Sequence, residues 1–408
     1  MNAVDFLQEA QNKQEELTVH RRFLHEHAET GFDLAETVTY VRKQLEEMGY
    51  TPVDCGKAGL VATVGGKRPG KVFLLRADMD ALPIEEQTGA EYACRDGRMH
   101  ACGHDMHTTM LLGAAKLLRE HEEEIQGTVK LMFQPAEEIL AGSKDMIEAG
   151  VLESPQVDAA MMIHVMAGMK ASTGTVIVSD GGVSAPSADM FTIDIQGKGC
   201  HGSMPQNGID PVTVAAHIVL ALQEITAREV SISEPGLLTI GSVQAGISYN
   251  AIPDSARLMG SMRSFSEDTR ALMKRRVEEI VTGVAATFRA QASVSFDSGC
   301  PSLKNDEALS KAVTGFAKEL LGADKAVNQS EFLERAGGNA KKLTGGSEDF
   351  AYVSQEVPSI MMALAAGGPD EGYMYPLHHP KVIFDEKVLS MGCAVYAYLA
   401  MRWLEENK

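Results

Sequence analysis

The chain has 408 residues, and its 56 acidic and 37 basic side chains give a formal net charge of -19. A negative field of this size repels phosphate backbones and anionic lipids, so we expect neither nucleic acid nor a membrane as a partner. At roughly 100 to 200 residues per domain, the length predicts two domains.

Cysteine usage and the first residues of the chain predict a cytoplasmic protein. The six cysteines are scattered and lack the dense framework of a small secreted domain. Acidic and apolar positions alternate over residues 1–24, which predicts an amphipathic helix there and no signal-peptide core. No apolar run approaches the ~20 residues that span a bilayer.

The hydrophobic pattern after this helix predicts an α/β fold. A second helix is expected over residues 34–48, because Gly49 supplies a normal C-terminal signal. Short apolar runs bounded by glycines or polar turns predict buried strands, and a helix is expected at 104–120. The predicted strands of this type lie at 60–64, 71–78, 127–133, 158–164 and 359–364.

The pattern between residues 181 and 292 is different. Residues 189–196 alternate as a half-buried strand, and they are followed by signals for helix, two strands and a long helix. This order predicts an α+β domain with antiparallel strands, inserted into the α/β host. We therefore predict a host domain formed by 1–180 and 293–408, and an inserted domain at 181–292.

One stretch, residues 99–108, places three imidazoles, a thiol and a carboxylate around the start of the helix predicted at 104–120. Cys102 and His104 are two residues apart, so on a regular helix they would point to nearly opposite faces. We expect both on the loop that enters the helix, where Gly103 permits a tight backbone. A thiolate beside an imidazole suits zinc or a similar transition ion.

Further metal-binding side chains fall at the ends of predicted strands. Asp78, Glu137, Glu138 and His164 all lie at or just beyond such ends. Ligands of α/β sheets bind outside the carboxyl ends of the strands, so these groups are expected to meet. Adjacent glutamates point in different directions, so one can bind a metal while the other acts as a general base.

Other patterns carry less weight. Gly197–Gly202 fits G-x-G-x-x-G, but no helix opens on its third glycine, so dinucleotide binding is not expected. Either His378 or His379 could supply a late metal ligand. Several histidines, His25 and His107 among them, are expected to serve packing or the surface.

Several motifs together resemble the M20 metallopeptidase family, and more narrowly its amidohydrolase branch of aminoacylases, hippurate hydrolases and auxin-conjugate hydrolases. The motifs occur in order along nearly the whole chain, and they are residues 76–83, 99–108, 134–138, 164, 347–350 and 377–380. The resemblance implies an α/β, zinc-peptidase-like catalytic domain. It also implies an inserted α+β, ferredoxin-like domain that mediates dimerisation, and hence a homodimer.

The resemblance also assigns roles to residues. Cys102 occupies a metal-bridging position, and the other implied ligands of two divalent ions are His104, Glu138, His164 and His378. Zinc is the expected metal, with manganese, cobalt or nickel as alternatives. Glu137 matches the general base, and Asp78 matches the carboxylate that orients the metal ligands. His201 matches an oxyanion-stabilising residue that reaches the partner subunit, and Asn250 and Arg263 match residues that bind the substrate carboxylate.

The resulting prediction is a metal-dependent amidohydrolase that cleaves N-acyl amino acids to a carboxylic acid and a free amino acid. Glu137 would take a proton from a metal-activated water. The nearest alternative is a dipeptidase or carboxypeptidase that uses the same site. A more remote alternative is a non-catalytic, metal-stabilised binding protein.

Overall fold

A computed structural model describes residues 3–335 and 346–408 of the chain. The strands are β1 (Val53–Cys55), β2 (Gly59–Gly65), β3 (Val72–Asp78), β4 (Thr128–Gln134), β5 (Ala159–Met166), β6 (Val176–Val178), β7 (Gly182–Ala185), β8 (Ser187–Gln196), β9 (Cys200–His201), β10 (Gly236–Ala245), β11 (Ala251–Ile252), β12 (Ser255–Ser264), β13 (Gln291–Cys300), β14 (Leu303–Asn305), β15 (Ala326–Asn328) and β16 (Ser359–Ala365). The helices are α1 (Ala3–Gln11), α2 (Gln14–Glu26), α3 (Ala35–Glu47), α4 (His104–Glu120), α5 (Gly142–Glu148), α6 (Pro211–Glu224), α7 (Glu267–Thr287), α8 (Glu307–Leu321), α9 (Gln329–Arg335), α10 (Ala351–Glu356) and α11 (Leu389–Glu406).

The described residues form two compact units. The larger unit contains 3–184, 304–335 and 349–408, and the smaller unit contains 185–303 and 346–348. Residues 185–303 thus interrupt the larger unit as an insertion does, and residues 346–348 form a short second segment of the smaller unit.

The larger unit is built on an eight-stranded sheet with the order β1-β2-β4-β3-β5-β16-β6-β15. Its four central strands, β4, β3, β5 and β16, run parallel to one another. Every residue of β3 is buried, as expected for a strand covered on both faces. The sheet is mixed, because β2 pairs antiparallel with β4 and β16 pairs antiparallel with β6.

The N-terminal prediction was wrong in one respect, since a single helix was expected over residues 1–24 and residues 3–26 form two. The chain turns at Asn12 and Lys13, where Lys13 N–H donates to Ala10 O at 3.0 Å. This turn allows Phe6 of α1 and Leu17 of α2 to enter the same core, beside α4 and α11. Residues 1 and 2 lie outside the described part of the chain.

The smaller unit has a four-stranded antiparallel sheet with the order β10-β12-β8-β13. Its elements follow one another as β8-α6-β10-β12-α7-β13, which is the ferredoxin-like arrangement. Side chains of α6 and α7, among them Ile218 and Val277, are fully buried in the core of this unit. The predicted fold class, α/β with an inserted α+β ferredoxin-like unit, is therefore confirmed.

Within residues 3–335 and 346–408, no helix combines the length and the apolar character that a bilayer span requires.

Candidate metal centre

Three neighbouring parallel strands of the larger unit carry or precede candidate residues of the metal centre. β3 ends at Asp78, β4 is followed closely by Glu137 and Glu138, and His164 lies near the carboxyl end of β5. Because β4, β3 and β5 are adjacent and parallel, their carboxyl ends lie along one edge of the sheet. The structure places these side chains together at that edge.

The loop before α4 brings in Cys102 and His104. Gly103 has φ +87°, a left-handed conformation that glycine adopts without strain, and a Cβ there would lie 2.4 Å from Val165 Cγ2. Glycine is thus required between the two ligand candidates, as the sequence predicts. His104 is the first residue of α4, so the thiol and the imidazole approach the sheet edge from the helix entrance.

The sulfur of Cys102 lies between two histidines. Its Sγ is 3.5 Å from His164 Nε2 and 3.3 Å from His378 Nε2. Two groups of possible ligands share this sulfur, one with His104 and His164 and the other with Glu138 and His378, and within each group the ligand atoms lie within 4.8 Å of one another. An arrangement with one shared sulfur suits two neighbouring ions.

The ring nitrogens of these histidines have defined roles. His104 Nδ1–H donates to Asp80 O at 2.8 Å, and His164 Nδ1–H donates to Val165 O at 2.7 Å. Each hydrogen bond fixes the tautomer, so the ligand atom in both residues is Nε2.

Two buried polar atoms show that the site fits a cation. Among the described residues, His104 Nε2 and Glu138 Oε1 are buried without a hydrogen-bond partner, and they lie 3.9 Å apart. Leaving such atoms unsatisfied costs about 1 to 3 kcal/mol each, which a shared cation would offset. The donor set of one sulfur, three imidazole nitrogens and one carboxylate suits zinc or a similar transition metal.

The electrostatics of the site agree with this assignment. Burial raises the pKa of Glu138 to about 7, against a smaller opposing effect of His104. Burial also raises the pKa of the Cys102 thiol. A divalent cation nearby would favour the ionised form of both groups, and ionised groups are the better ligands.

Asp78 is held by residues from distant parts of the chain. Arg76 Nη1 donates to its Oδ2 at 2.7 Å, and the same guanidinium donates through Nη2 to Asp349 Oδ1 at 3.0 Å. Burial raises the pKa of Asp78, but the charges of Arg76 and His104 and the hydrogen bond from His107 outweigh burial and hold it well below its usual value. Asp78 is therefore ionised, 3.6 Å from His104 Nε2 through its Oδ2.

His107 connects Asp78 to β5. Val165 N–H donates to His107 Nε2 at 2.8 Å, so Nδ1 carries the proton and donates to Asp78 Oδ1 at 2.6 Å. Burial lowers the pKa of His107 to about 4 and that of His100 to about 3, so both rings are neutral. His107 thus packs in the core, as predicted, and also orients Asp78.

Asp80 is a site residue that the sequence prediction missed. It is fully buried, and its two carboxylate oxygens accept hydrogen bonds from Glu137 N–H at 2.9 Å and Glu138 N–H at 3.2 Å. The backbone oxygen of Asp80 also accepts a hydrogen bond from His104 Nδ1–H, so Asp80 contacts three site residues at once. Its place two residues after Asp78 in the same motif was the signal available in the sequence.

Left-handed backbone conformations surround the glutamate pair. Ala136 and Leu140 have φ +55° and +56°, and they stand just before Glu137 and shortly after Glu138. His378 has φ +64°, and its N–H donates to Ala101 O at 2.9 Å. Such conformations are unfavourable for residues other than glycine, and they are found preferentially at functional sites.

His25 is more than a packing residue. It is buried, with Nδ1 at 2.8 Å from Asp105 Oδ2 and Nε2 at 3.1 Å from Glu86 Oε2. Burial and Arg21 lower the pKa of His25, but the two carboxylates outweigh them and raise it. His25 is thus buried, as a packing residue is, and it also meets carboxylates from positions 86 and 105, which the sequence does not show.

The remaining predicted residues belong to the smaller unit. His201 lies opposite Ala251 in the β9–β11 pair, and Gly202 N–H donates to Asn250 O at 2.9 Å. Ser203 donates to His201 Nδ1 through Oγ at 2.8 Å and through N–H at 3.2 Å, which leaves the ring proton on Nε2. Arg263 lies on β12, where its Nη1 donates to Ser347 Oγ at 2.7 Å.

The open α/β sheet and the ligand set at its edge define a metal-dependent hydrolase. Residues 74–402 match the sequence pattern of Peptidase family M20/M25/M40, and the chain belongs to this family. The family predicted from the sequence motifs is thereby confirmed.

The chain is similar over nearly its whole length to several named proteins. It is 37% identical over 391 residues to N-acetylcysteine deacetylase of Bacillus subtilis, across 95% of this chain and 97% of that protein. It is 37% identical over 397 residues to IAA-amino acid hydrolase ILR1-like 4 of Arabidopsis thaliana, across 95% of this chain and 86% of that protein. A solved structure of Bacillus subtilis YXEP protein, a dinuclear metal binding peptidase from the M20 family, matches with TM-score 0.76 at 34% identity, covering 96% of this chain and 98% of that one.

Proposed function

We propose that this protein is a metal-dependent amidohydrolase that cleaves N-acyl amino acids to a carboxylic acid and a free amino acid. The observation that carries the proposal is Glu137, which stands beside two groups of ligand candidates that share Cys102. Its Oε2 is 3.8 Å from His104 Nε2. The deacetylase and the IAA-amino acid hydrolase among the relatives are named for substrates of this chemical class.

The proposed ligands are Cys102, His104, Glu138, His164 and His378. Divalent cations held by these residues would polarise the acyl carbonyl and acidify water. Glu137 accepts a proton from the attacking water and returns it to the nitrogen of the leaving amine. The C–N bond breaks, and the water oxygen stays with the acyl group as a carboxylic acid. This acid ionises to a carboxylate as the released amine takes up the second proton. Asp78 and Asp80 hold the surrounding groups in place.

The smaller unit is proposed to bind the substrate. With its Nδ1 accepting from Ser203, His201 carries a proton on Nε2, which suits a donor to the developing oxyanion. Arg263 would bind the free carboxylate of the amino acid through its planar guanidinium, with Asn250 as a second polar contact.

Three finer assignments complete the proposal. Zinc is the favoured metal because of the sulfur and nitrogen ligands, with manganese, cobalt or nickel as alternatives. The protein is proposed to act as a homodimer, with the smaller unit mediating dimerisation. A cytoplasmic location agrees with six cysteines that are all free thiols.

A dipeptidase or carboxypeptidase activity is the second candidate, because a dinuclear M20 relative of known structure is described as a peptidase. The same residues would then hydrolyse a peptide bond. Parallel assays with N-acyl amino acids and dipeptides of the same amino acid separate the two activities.

Substitution of the general base tests the reaction. Glu137→Gln is expected to retain metal, measured by elemental analysis, and to lose at least about 100-fold in kcat, because proton transfer by a positioned side chain contributes about 100- to 10,000-fold. The matched control is Glu148→Gln on α5, an exposed glutamate whose Oε1 lies 3.8 Å from Lys144 Nζ, which should keep wild-type kcat. Retained turnover in Glu137→Gln would refute the assignment, and a wild-type protein that binds metal without hydrolysing either substrate class would support a binding role.

A further inference from the structure

The strand pair that carries His201 also brings apolar side chains to its end. β9 and β11 are antiparallel, with His201 opposite Ala251 and Gly202 bonded to Asn250. The chain after His201 and the chain before Asn250 therefore leave the pair at the same end. Residues 203–204 and 247–249 occupy these two exits.

Large apolar residues at both exits are exposed. Ile247 and Tyr249 are fully exposed, and Met204 is 46% exposed. We call Met204, Ile247 and Tyr249 the apolar rim. Single exposed apolar residues are ordinary, but apolar side chains grouped beside polar groups are typical of a ligand-binding surface.

The rim lies in chain segments without formal charge. Residues 199–208 and 235–253 contain no Asp, Glu, Lys or Arg, although these types make up 23% of the whole chain. The two segments that form these exits thus carry no formal charge, in a protein whose net charge is -19. A neutral, apolar group can bind there without displacing hydration from a charged side chain.

Polar side chains at the same exits have their hydrogen bonds arranged locally. Ser248 Oγ donates to Asn250 Oδ1 at 2.6 Å, and Ser203 Oγ donates to His201 Nδ1 at 2.8 Å. The rim therefore adjoins two polar groups of defined orientation. This combination suits a substrate whose polar amide is joined directly to an apolar chain.

We propose that the apolar rim binds the acyl chain of the substrate and makes the enzyme selective for long aliphatic or aromatic acyl groups over acetyl. This inference rests on the proposed amidohydrolase function and on His201 contacting the scissile amide. Its occupant is one chemical class, the uncharged apolar acyl group of an N-acyl amino acid.

The test compares acyl groups on a single amino acid. The metal-loaded, full-length enzyme is assayed with N-acetyl, N-octanoyl and N-benzoyl methionine, using wild type, Ile247→Ser, Tyr249→Ser and the double variant. Ile232→Ser is the matched control, because Ile232 is also fully exposed in the smaller unit but lies in the connection between α6 and β10. Light scattering gives the oligomeric state of every variant.

We expect the double variant to lose at least about tenfold in kcat/KM for the octanoyl substrate, mainly through KM, since removing apolar pocket contacts costs about 10- to 200-fold. Its kcat/KM for the acetyl substrate should stay within about twofold, and Ile232→Ser should match wild type with all three substrates. An equal loss on all acyl groups, an unchanged ratio of octanoyl to acetyl activity, or a change of oligomeric state that accounts for the loss would overturn the inference. Wild-type protein inactive on every N-acyl substrate would refute the proposed function itself.

Discussion

Asp80→Asn offers the sharpest test of how the centre is held together. The asparagine side chain keeps one oxygen but replaces the other with an amide NH₂, so it can accept from only one of the Glu137 and Glu138 N–H groups. The second N–H then faces the NH₂ group of the asparagine and has no acceptor. Because residue 80 is fully buried, water cannot replace the lost acceptor. The segment that carries Glu137 and Glu138 therefore loses one of its two hydrogen bonds to the side chain of residue 80.

The size of the effect follows from these contacts. A hydrogen bond to a charged group contributes about 1.5 to 3 kcal/mol, and a buried unsatisfied donor costs about 1 to 3 kcal/mol. We therefore expect Asp80→Asn to lower the free energy of unfolding by about 2 to 4 kcal/mol. A displacement of about 1 Å in a catalytic group costs on the order of 100-fold in rate, so kcat should fall by a similar factor.

The assay measures kcat and KM for an N-acyl amino acid at saturating metal, together with urea unfolding and metal content. Asp54→Asn is the control, because Asp54 is an exposed aspartate that pairs with Arg42 at the surface. A kcat for Asp80→Asn within about threefold of wild type at full metal content would show that Asp80 does not position the glutamates, whatever the change in stability.

Two further substitutions test the surroundings of the centre. His25→Gln should lower stability by about 3 to 5 kcal/mol, because it breaks a buried ion pair with Glu86 and Asp105. Folding raises the pKa of His25, so the protonated ring stabilises the folded state. The loss of unfolding free energy in His25→Gln should therefore be largest below about pH 6.5 and should disappear as the pH rises through the pKa of the folded state. Leu140→Val should lower the free energy of unfolding by about 1 to 2 kcal/mol, whereas Leu140→Asn should lie within about 0.5 kcal/mol of wild type, because asparagine tolerates a left-handed conformation and β-branched residues do not.

Chemical denaturation across a pH series measures both effects. A stability difference for His25→Gln that grows between pH 6 and pH 9 has the wrong sign and would contradict the ion pair. Equal stability of the valine and asparagine variants at position 140 would contradict the backbone argument.

Local patterns in the sequence were sufficient for the main elements of the fold. The helix predicted at 104–120 has those bounds in the structure, because Gly103 precedes it and its apolar face is long and regular. Strands β3, β4, β5 and β16 each lie within about two residues of their predicted ends, since buried strands are continuous apolar runs.

The same sequence patterns did not predict contacts between residues that are distant in the chain. The carboxylate of Asp80 meets amides 57 and 58 positions away, and Arg76 meets Asp349 at a separation of 273. A periodicity argument uses neighbours along the chain, so it shows that a residue is buried but not which partner it finds. The ligand set was anticipated from strand ends and family motifs, and the side chains that support those ligands appeared only in the structure.

The order of strands in the larger sheet has a consequence for how the protein is made. β5 pairs with β16 on one side, and β16 separates β5 from β6, although roughly 190 residues lie between the end of β5 and the start of β16. A ribosome that adds about 5 to 20 residues per second leaves the β5 edge unpaired for about 10 to 40 s. An unpaired edge strand with an apolar sequence can pair with strands of other nascent chains. We therefore expect the expression yield to depend on translation speed and on chaperones during this interval.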